Sequence, residues 1–190
     1  MEKDKLVIFD LDGTLFDTKK VNFKAYNYAI QKIGISKRID YMYYCQYCNG
    51  MDYRFFLPII IPDISKEQIE AIHNEKQKKY KDFLLYAKKN EGLFSLIKVL
   101  RQEYWVSVVT TASRMNTMDI LKFFEVDWLF DFILTKEDVT ETKPSAEGFL
   151  KAMELANVVK EKTIIFEDSN DGLRAAELAG AKYVKVCGYN

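Results

Sequence analysis

The chain has 190 residues, with 28 Lys and Arg against 28 Asp and Glu, 48% hydrophobic residues and only 8 Gly and 3 Pro. This is globular composition, and a formal net charge of zero leaves no broad basic field for nucleic acid or an anionic membrane. One core with a modest insertion fits the length.

Only Leu6 to Phe9 separate the charged start from Asp10, so the apolar core of a secretory signal is missing. The longest apolar stretch, Phe55 to Ile61, contains Pro58 and is far shorter than the ~18 residues of a membrane span. Three cysteines suit a reducing compartment. A cytoplasmic protein with no membrane and no nucleic-acid partner is expected.

In chain order, Lys5 to Phe9 predicts a buried strand running into a loop at Asp10 and Gly13. From Thr18 to Asn90 the pattern turns helical. Phe23, Tyr26, Ile30 and Ile33 recur at helical spacing, as do Ile69, Ile72, Tyr80, Phe83 and Ala87, and Ser65 with Gln68 forms a capping box. Further strands are expected at Trp105 to Val109, Phe132 to Leu134, Thr163 to Phe166 and Tyr183 to Val186. Helices are expected at Ala146 to Ala156 and at Gly172 to Ala179, the latter closed by Gly180. Strands alternating with helices predict an α/β fold, a Rossmann-like parallel sheet with an inserted helical domain. The core would comprise residues 1–17 and 91–190, and the insertion 18–90.

Within the insertion, Cys45 and Cys48 form a C-x-x-C. With no second pair and no nearby His, two semi-buried cysteines on a tyrosine-rich helix are expected rather than a redox or zinc site. The aromatic stretch from Tyr41 to Phe56 reads as the core of a small helical bundle, with a wall for a substrate face as the alternative. His73 lies among charged residues and is expected to be solvated.

Chemistry gathers at the predicted strand ends, where parallel sheets bind ligands. Asp10 and Asp12 place two carboxylates at i, i+2 after the first strand, and Gly13 permits the turn. Thr110, Thr111 and Ser113 bring hydroxyls and backbone N–H groups suited to a phosphate oxygen. Lys143, before Pro144, is a lone cation. Glu167 and Asp168 end a further strand. Taken singly, these are turn, cap and surface residues.

Taken together, Asp10-Leu-Asp-Gly-Thr-Leu, Val108-Val109-Thr110, Lys143-Pro144 and Glu167-Asp168-Ser169 resemble the four motifs of the haloacid dehalogenase superfamily, in order and over essentially the whole chain. The resemblance implies a helical cap at 18–90 and a Mg²⁺-dependent phosphatase. Asp10 would be the nucleophile and a metal ligand. Asp12 would ligate through its backbone carbonyl and act as acid and base through its side chain. Asp168 and Glu167 would complete the metal site, while Thr110 and Lys143 hold phosphate. Thr111, Asn22 and Arg54 are candidate substrate contacts. The substrate would be a small phosphorylated metabolite, such as a sugar phosphate or a phosphoglycolate-like ester, and the protein a monomer or weak dimer.

Asp12 favours phosphate chemistry over dehalogenation, because halide leaves without a proton. The Glu-Asp-Ser form of the fourth motif resembles the branch containing β-phosphoglucomutase, which makes a phosphomutase the nearest alternative. Asn22 stands where the mutase has His, and Thr14 where it typically has Val, so hydrolysis is preferred. A receiver-type signalling module also places acids, a Thr and a Lys at strand ends. The Asp-x-Asp-Gly-Thr order and the long insertion argue against it.

Overall fold

The computed structural model describes residues 3–188. In chain order its elements are β1 (Lys5–Phe9), β2 (Phe16–Asp17), α1 (Lys19–Lys32), α2 (Tyr41–Tyr43), α3 (Tyr53–Ile60), α4 (Lys66–Lys79), β3 (Lys88–Lys89) and α5 (Glu91–Leu100). There follow β4 (Tyr104–Val109), α6 (Arg114–Phe123), β5 (Phe132–Leu134), α7 (Glu147–Ala156), β6 (Thr163–Glu167), α8 (Asn170–Ala179) and β7 (Lys182–Lys185). The chain forms two compact units, Met1–Asp17 with Lys88–Asn190, and Thr18–Ala87.

The first unit is built on a five-stranded sheet of order β5-β4-β1-β6-β7, with every neighbouring pair parallel. It is an α/β Rossmann-like fold. The central strand β1 is buried from Leu6 to Phe9, which is why it reads as a continuous apolar run rather than an alternating one. From β1 the chain moves outward to β4 and β5, then returns to the other side of β1 as β6. A topological switch point therefore lies between β1 and β6, where open α/β sheets bind ligands.

Helix ends follow local chemistry. Ser113 caps α6 by accepting from the Asn116 N–H at 3.3 Å, Asn90 caps α5, and Gly180 closes α8 in the left-handed conformation. Ser169 caps α8, which begins at Asn170, two residues earlier than the Gly172 start expected from the sequence. Phe16, Phe94 and Phe124 pack together, with Phe16 at 5.3 Å from Phe94 and 5.1 Å from Phe124 between ring centroids.

The insertion expected from the sequence runs to Asn90, and the compact helical unit ends at Ala87. Lys88–Lys89 pairs antiparallel with Phe16–Asp17, and Asn90 donates its side-chain amide to the Thr14 carbonyl at 3.2 Å. These two-residue strands are too short to show any period, so they were invisible in the sequence.

In the helical unit α1 buries Val21, Ala25, Tyr26, Ala29 and Ile30. The Ser65–Gln68 capping box opens α4. Three expectations change here. Cys48 is buried and Cys45 partly so, but both lie in a π-helical turn at Tyr44–Cys48 that follows the single turn α2. His73 is not solvated: it is partly buried and stacks on Tyr53, with centroids 3.8 Å apart. The aromatic stretch divides, with Tyr44 and Phe56 in the core and Tyr47 and Phe55 exposed. No helix of the described residues is long and apolar enough to cross a membrane.

Candidate active site

Strand register brings the acids together. Phe9 is level with Phe166 of β6 and Val108 of β4, so the next residues, Asp10, Glu167 and Val109, also lie side by side. The Asp10 N–H donates to the Phe166 carbonyl at 3.0 Å, carrying the ladder one residue past β1. Asp10, Glu167 and Asp168 each offer one carboxylate oxygen, and these oxygens lie within 4.8 Å of one another. The Asp12 carboxylate is not part of that cluster.

Lys143 reaches the same place from the loop before α7. Its ammonium donates to Asp10 Oδ1 at 2.6 Å, to the Val109 carbonyl at 2.9 Å and to Glu167 Oε1 at 3.4 Å. The Lys143–Pro144 peptide is cis. Burial would push the Lys143 ammonium down, but the adjacent Asp10 and Glu167 carboxylates outweigh it and hold it above its ordinary range. Thr110 is buried at the end of β4 and accepts from the Ala112 N–H at 3.0 Å, which leaves its own proton free to donate. Thr110 and Thr111 share a small pocket with Lys143, Thr135, Glu141 and Thr142.

Two residues that the sequence placed in the motifs without giving them a role hold the acids. Thr14 donates through Oγ1 to Asp168 Oδ1 at 3.0 Å, and Ser169 donates through Oγ to Glu167 Oε2 at 2.9 Å. Thr14 lies two residues past Asp12 and Ser169 directly after Asp168, and that proximity was the only signal available. Gly13 has φ +101° and sits against Asp168, where a β-carbon would overlap the carboxylate.

The site carries an electrostatic deficit. Burial first, then the charge of Asp10, pushes Asp168 up to about 6 against the help of the Thr14 hydrogen bond. Burial likewise pushes Glu167 up to about 7, even though Lys143 draws it down. Three carboxylates around one ammonium, all in a confined space, form a donor set of hard oxygens that fits a divalent cation. Asn22 and Arg54 belong to the helical unit. The Asn22 amide donates to Thr18 Oγ1 at 3.3 Å, and Arg54 pairs with Asp52, the N-cap of its own helix, at 2.7 Å.

Residues 7–186 match the haloacid dehalogenase-like hydrolase family. The chain belongs to that family and is a hydrolase. It is 28% identical over 184 residues to a phosphorylated carbohydrates phosphatase of Thermotoga maritima, covering 94% of this chain and 82% of that protein. It is 29% identical over 189 residues to the pyrophosphatase PpaX of Halalkalibacterium halodurans, covering 96% of this chain and 83% of the other. The crystal structure of CbbY from Rhodobacter sphaeroides in complex with phosphate superposes with a TM-score of 0.85 at 25% identity, covering 97% of this chain and 87% of that one.

Proposed function

We propose that this protein is a Mg²⁺-dependent phosphatase that hydrolyses a small phosphate monoester, with a phosphorylated carbohydrate as the leading substrate class. The observation that carries this reading is Asp10 at the end of the central strand, 2.6 Å from the Lys143 ammonium and clustered with Glu167 and Asp168. The named activities of the relatives support phosphate ester or pyrophosphate chemistry.

A carboxylate approaching a phosphate dianion meets repulsion. When bound, Mg²⁺ would supply charge neutralisation between the acids and a phosphate oxygen. Asp10, Glu167 and Asp168 would hold the metal by side chains and Asp12 by its carbonyl. Asp10 attacks phosphorus in line, forming a P–O bond as the ester P–O bond breaks. The Asp12 carboxyl gives its proton to the leaving oxygen. Its carboxylate then takes a proton from the water that attacks the aspartyl-phosphate, releasing inorganic phosphate and restoring Asp10. Lys143 and the Thr110 hydroxyl hold the remaining phosphate oxygens.

The helical unit is proposed to act as the substrate-selecting cap. Arg54 must leave Asp52 to contact substrate, and Arg54→Ala is expected to raise KM with little change in kcat. Asn22 cannot supply the imidazole of a mutase, which keeps hydrolysis ahead of phosphoryl relocation.

The test supplies Mg²⁺ and p-nitrophenyl phosphate and measures phosphate release. Asp10→Asn is expected to lose at least about 10³-fold in turnover, because it removes the nucleophile. Undiminished turnover would remove Asp10 from that role. Phosphorus NMR with β-glucose 1-phosphate separates the outcomes: free phosphate supports hydrolysis, and glucose 6-phosphate would establish a mutase.

A further inference from the structure

Glu167 and Asp168 are adjacent in sequence and held in parallel ways. Asp168 rests against Gly13 and accepts from Thr14, while Glu167 rests against Gly172 and accepts from Ser169. Gly13 has an independent reason to be glycine in its positive φ. Gly172 has none. It sits in the first turn of α8 with ordinary helical geometry, a position where alanine would favour the helix. What it does provide is space: a β-carbon there would overlap Oε1, Oε2 and Cδ of Glu167.

Ser169 acts on the same carboxylate twice. Its hydroxyl donates to Glu167 Oε2 at 2.9 Å and accepts from the Gly172 N–H at 3.0 Å, tying the carboxylate to the start of α8. Glutamate has a long, rotatable side chain, and an unrestrained carboxylate would sample many positions. The missing β-carbon and the hydroxyl leave one place for it, with Oε1 turned toward Lys143 at 3.4 Å.

We propose that Gly172 and Ser169 are positioning residues that fix the Glu167 carboxylate for a divalent cation and thereby set metal affinity. The inference rests on the Mg²⁺ reading above. Filling the space at position 172 drives Glu167 out of its place, so metal affinity falls while the helix itself gains. A residue that merely supported the fold would lower stability and leave affinity unchanged.

The test titrates MgCl₂ calorimetrically into the metal-free full chain and its variants, with thermal melts alongside. Gly172→Ala is expected to bind Mg²⁺ about tenfold or more weakly, within the range typical for groups that orient metal ligands. Its metal-free melting temperature should not fall. In a Glu167→Ala background, Gly172→Ala should weaken binding no further, because both changes act on one carboxylate. Ser169→Ala should weaken binding about threefold or more, and Ser169→Thr, which keeps the hydroxyl, should restore it.

Equal affinity in Gly172→Ala and wild type overturns the inference, as does an undiminished Gly172→Ala effect without Glu167. Should Gly172→Ala fail to fold, the Ser169 pair decides: unchanged binding in Ser169→Ala refutes the proposal. Wild type that binds no Mg²⁺ defeats the Mg²⁺ reading and this inference together, whereas wild-type binding with indifferent variants defeats only the inference.

Discussion

Each unit withdraws a lysine from water, and the two do so in opposite ways. Lys143, in the sheet unit, lies among Asp10 and Glu167 with side chains only 8% and 1% exposed. Lys76, in the helical unit, is 9% exposed and lies over the rings of Tyr80 and Tyr26, at 4.9 Å and 5.4 Å from their centroids. Aromatic faces attract a cation without adding charge. A cluster of desolvated carboxylates keeps a surplus of negative charge, which favours folding less than it favours binding a cation. The difference teaches where chemistry resides: the helical unit offers its buried lysine aromatic faces, whereas the strand ends gather three carboxylates around theirs.

The strongest way to break the comparison is to delete both ammonium groups. Lys143→Met leaves Asp10 and Glu167 without their partner, and a loss of about 3–5 kcal/mol in unfolding free energy is expected at pH 7 by urea titration without metal. Lys76→Met substitutes a thioether that also packs on tyrosine rings and is expected to cost only about 1 kcal/mol. Equal losses would show that the two sites are balanced alike.

The next effect is one of pH. Glu167 ordinarily titrates at 4.5 and in the metal-free fold near 7. Between those values the unfolded chain releases a proton that the folded chain keeps, so stability falls as pH rises through this window, by about 1–3 kcal/mol. The loss is complete once pH exceeds the folded value. Mg²⁺ holds the ionised form, so saturating metal should flatten the slope. Melts from pH 4.5 to 7.5 with EDTA and with MgCl₂ measure both. A metal-free protein that gains stability over this range would contradict the assignment.

Smaller effects sharpen the contrast further. Thr14→Val removes the hydroxyl that donates to Asp168, and about 1 kcal/mol, or several-fold, should be lost from Mg²⁺ affinity. Tyr53→Phe removes the hydroxyl that donates to Glu70 at 3.0 Å, an exposed contact in the helical unit. It should change stability by about 0.5 kcal/mol or less and leave Mg²⁺ affinity untouched.

Legibility from the sequence followed the same division. β1, β4 and β6, inside the sheet, were readable because a strand buried on both faces reads as a mostly apolar run, and the edge strand β5 because its three residues are all apolar. The acids at their ends stood out because a charge ends such a run. The helical unit was legible as helical, but its particulars were not. The stack of Tyr53 on His73 and the π-helical turn at Tyr44–Cys48 depend on packing between segments, which no local period encodes. Ser169 and Gly172 looked like a cap and a small residue, because their partner Glu167 meets them only when α8 turns back over the end of β6.

The amino-acid sequence by itself therefore determined a parallel sheet with acids, hydroxyls and a lysine at its strand ends, since hydrophobic runs and the residues that interrupt them are local properties. Tertiary structure alone decided which of those groups meet. Lys143 reaches Asp10 across 133 positions of chain, and Thr14 reaches Asp168 across 154. Such pairs depend on sheet order and register, which place Phe9 level with Phe166 and so bring the Asp10, Glu167 and Asp168 carboxylates into one cluster while Asp12, two residues past Asp10, stays outside it.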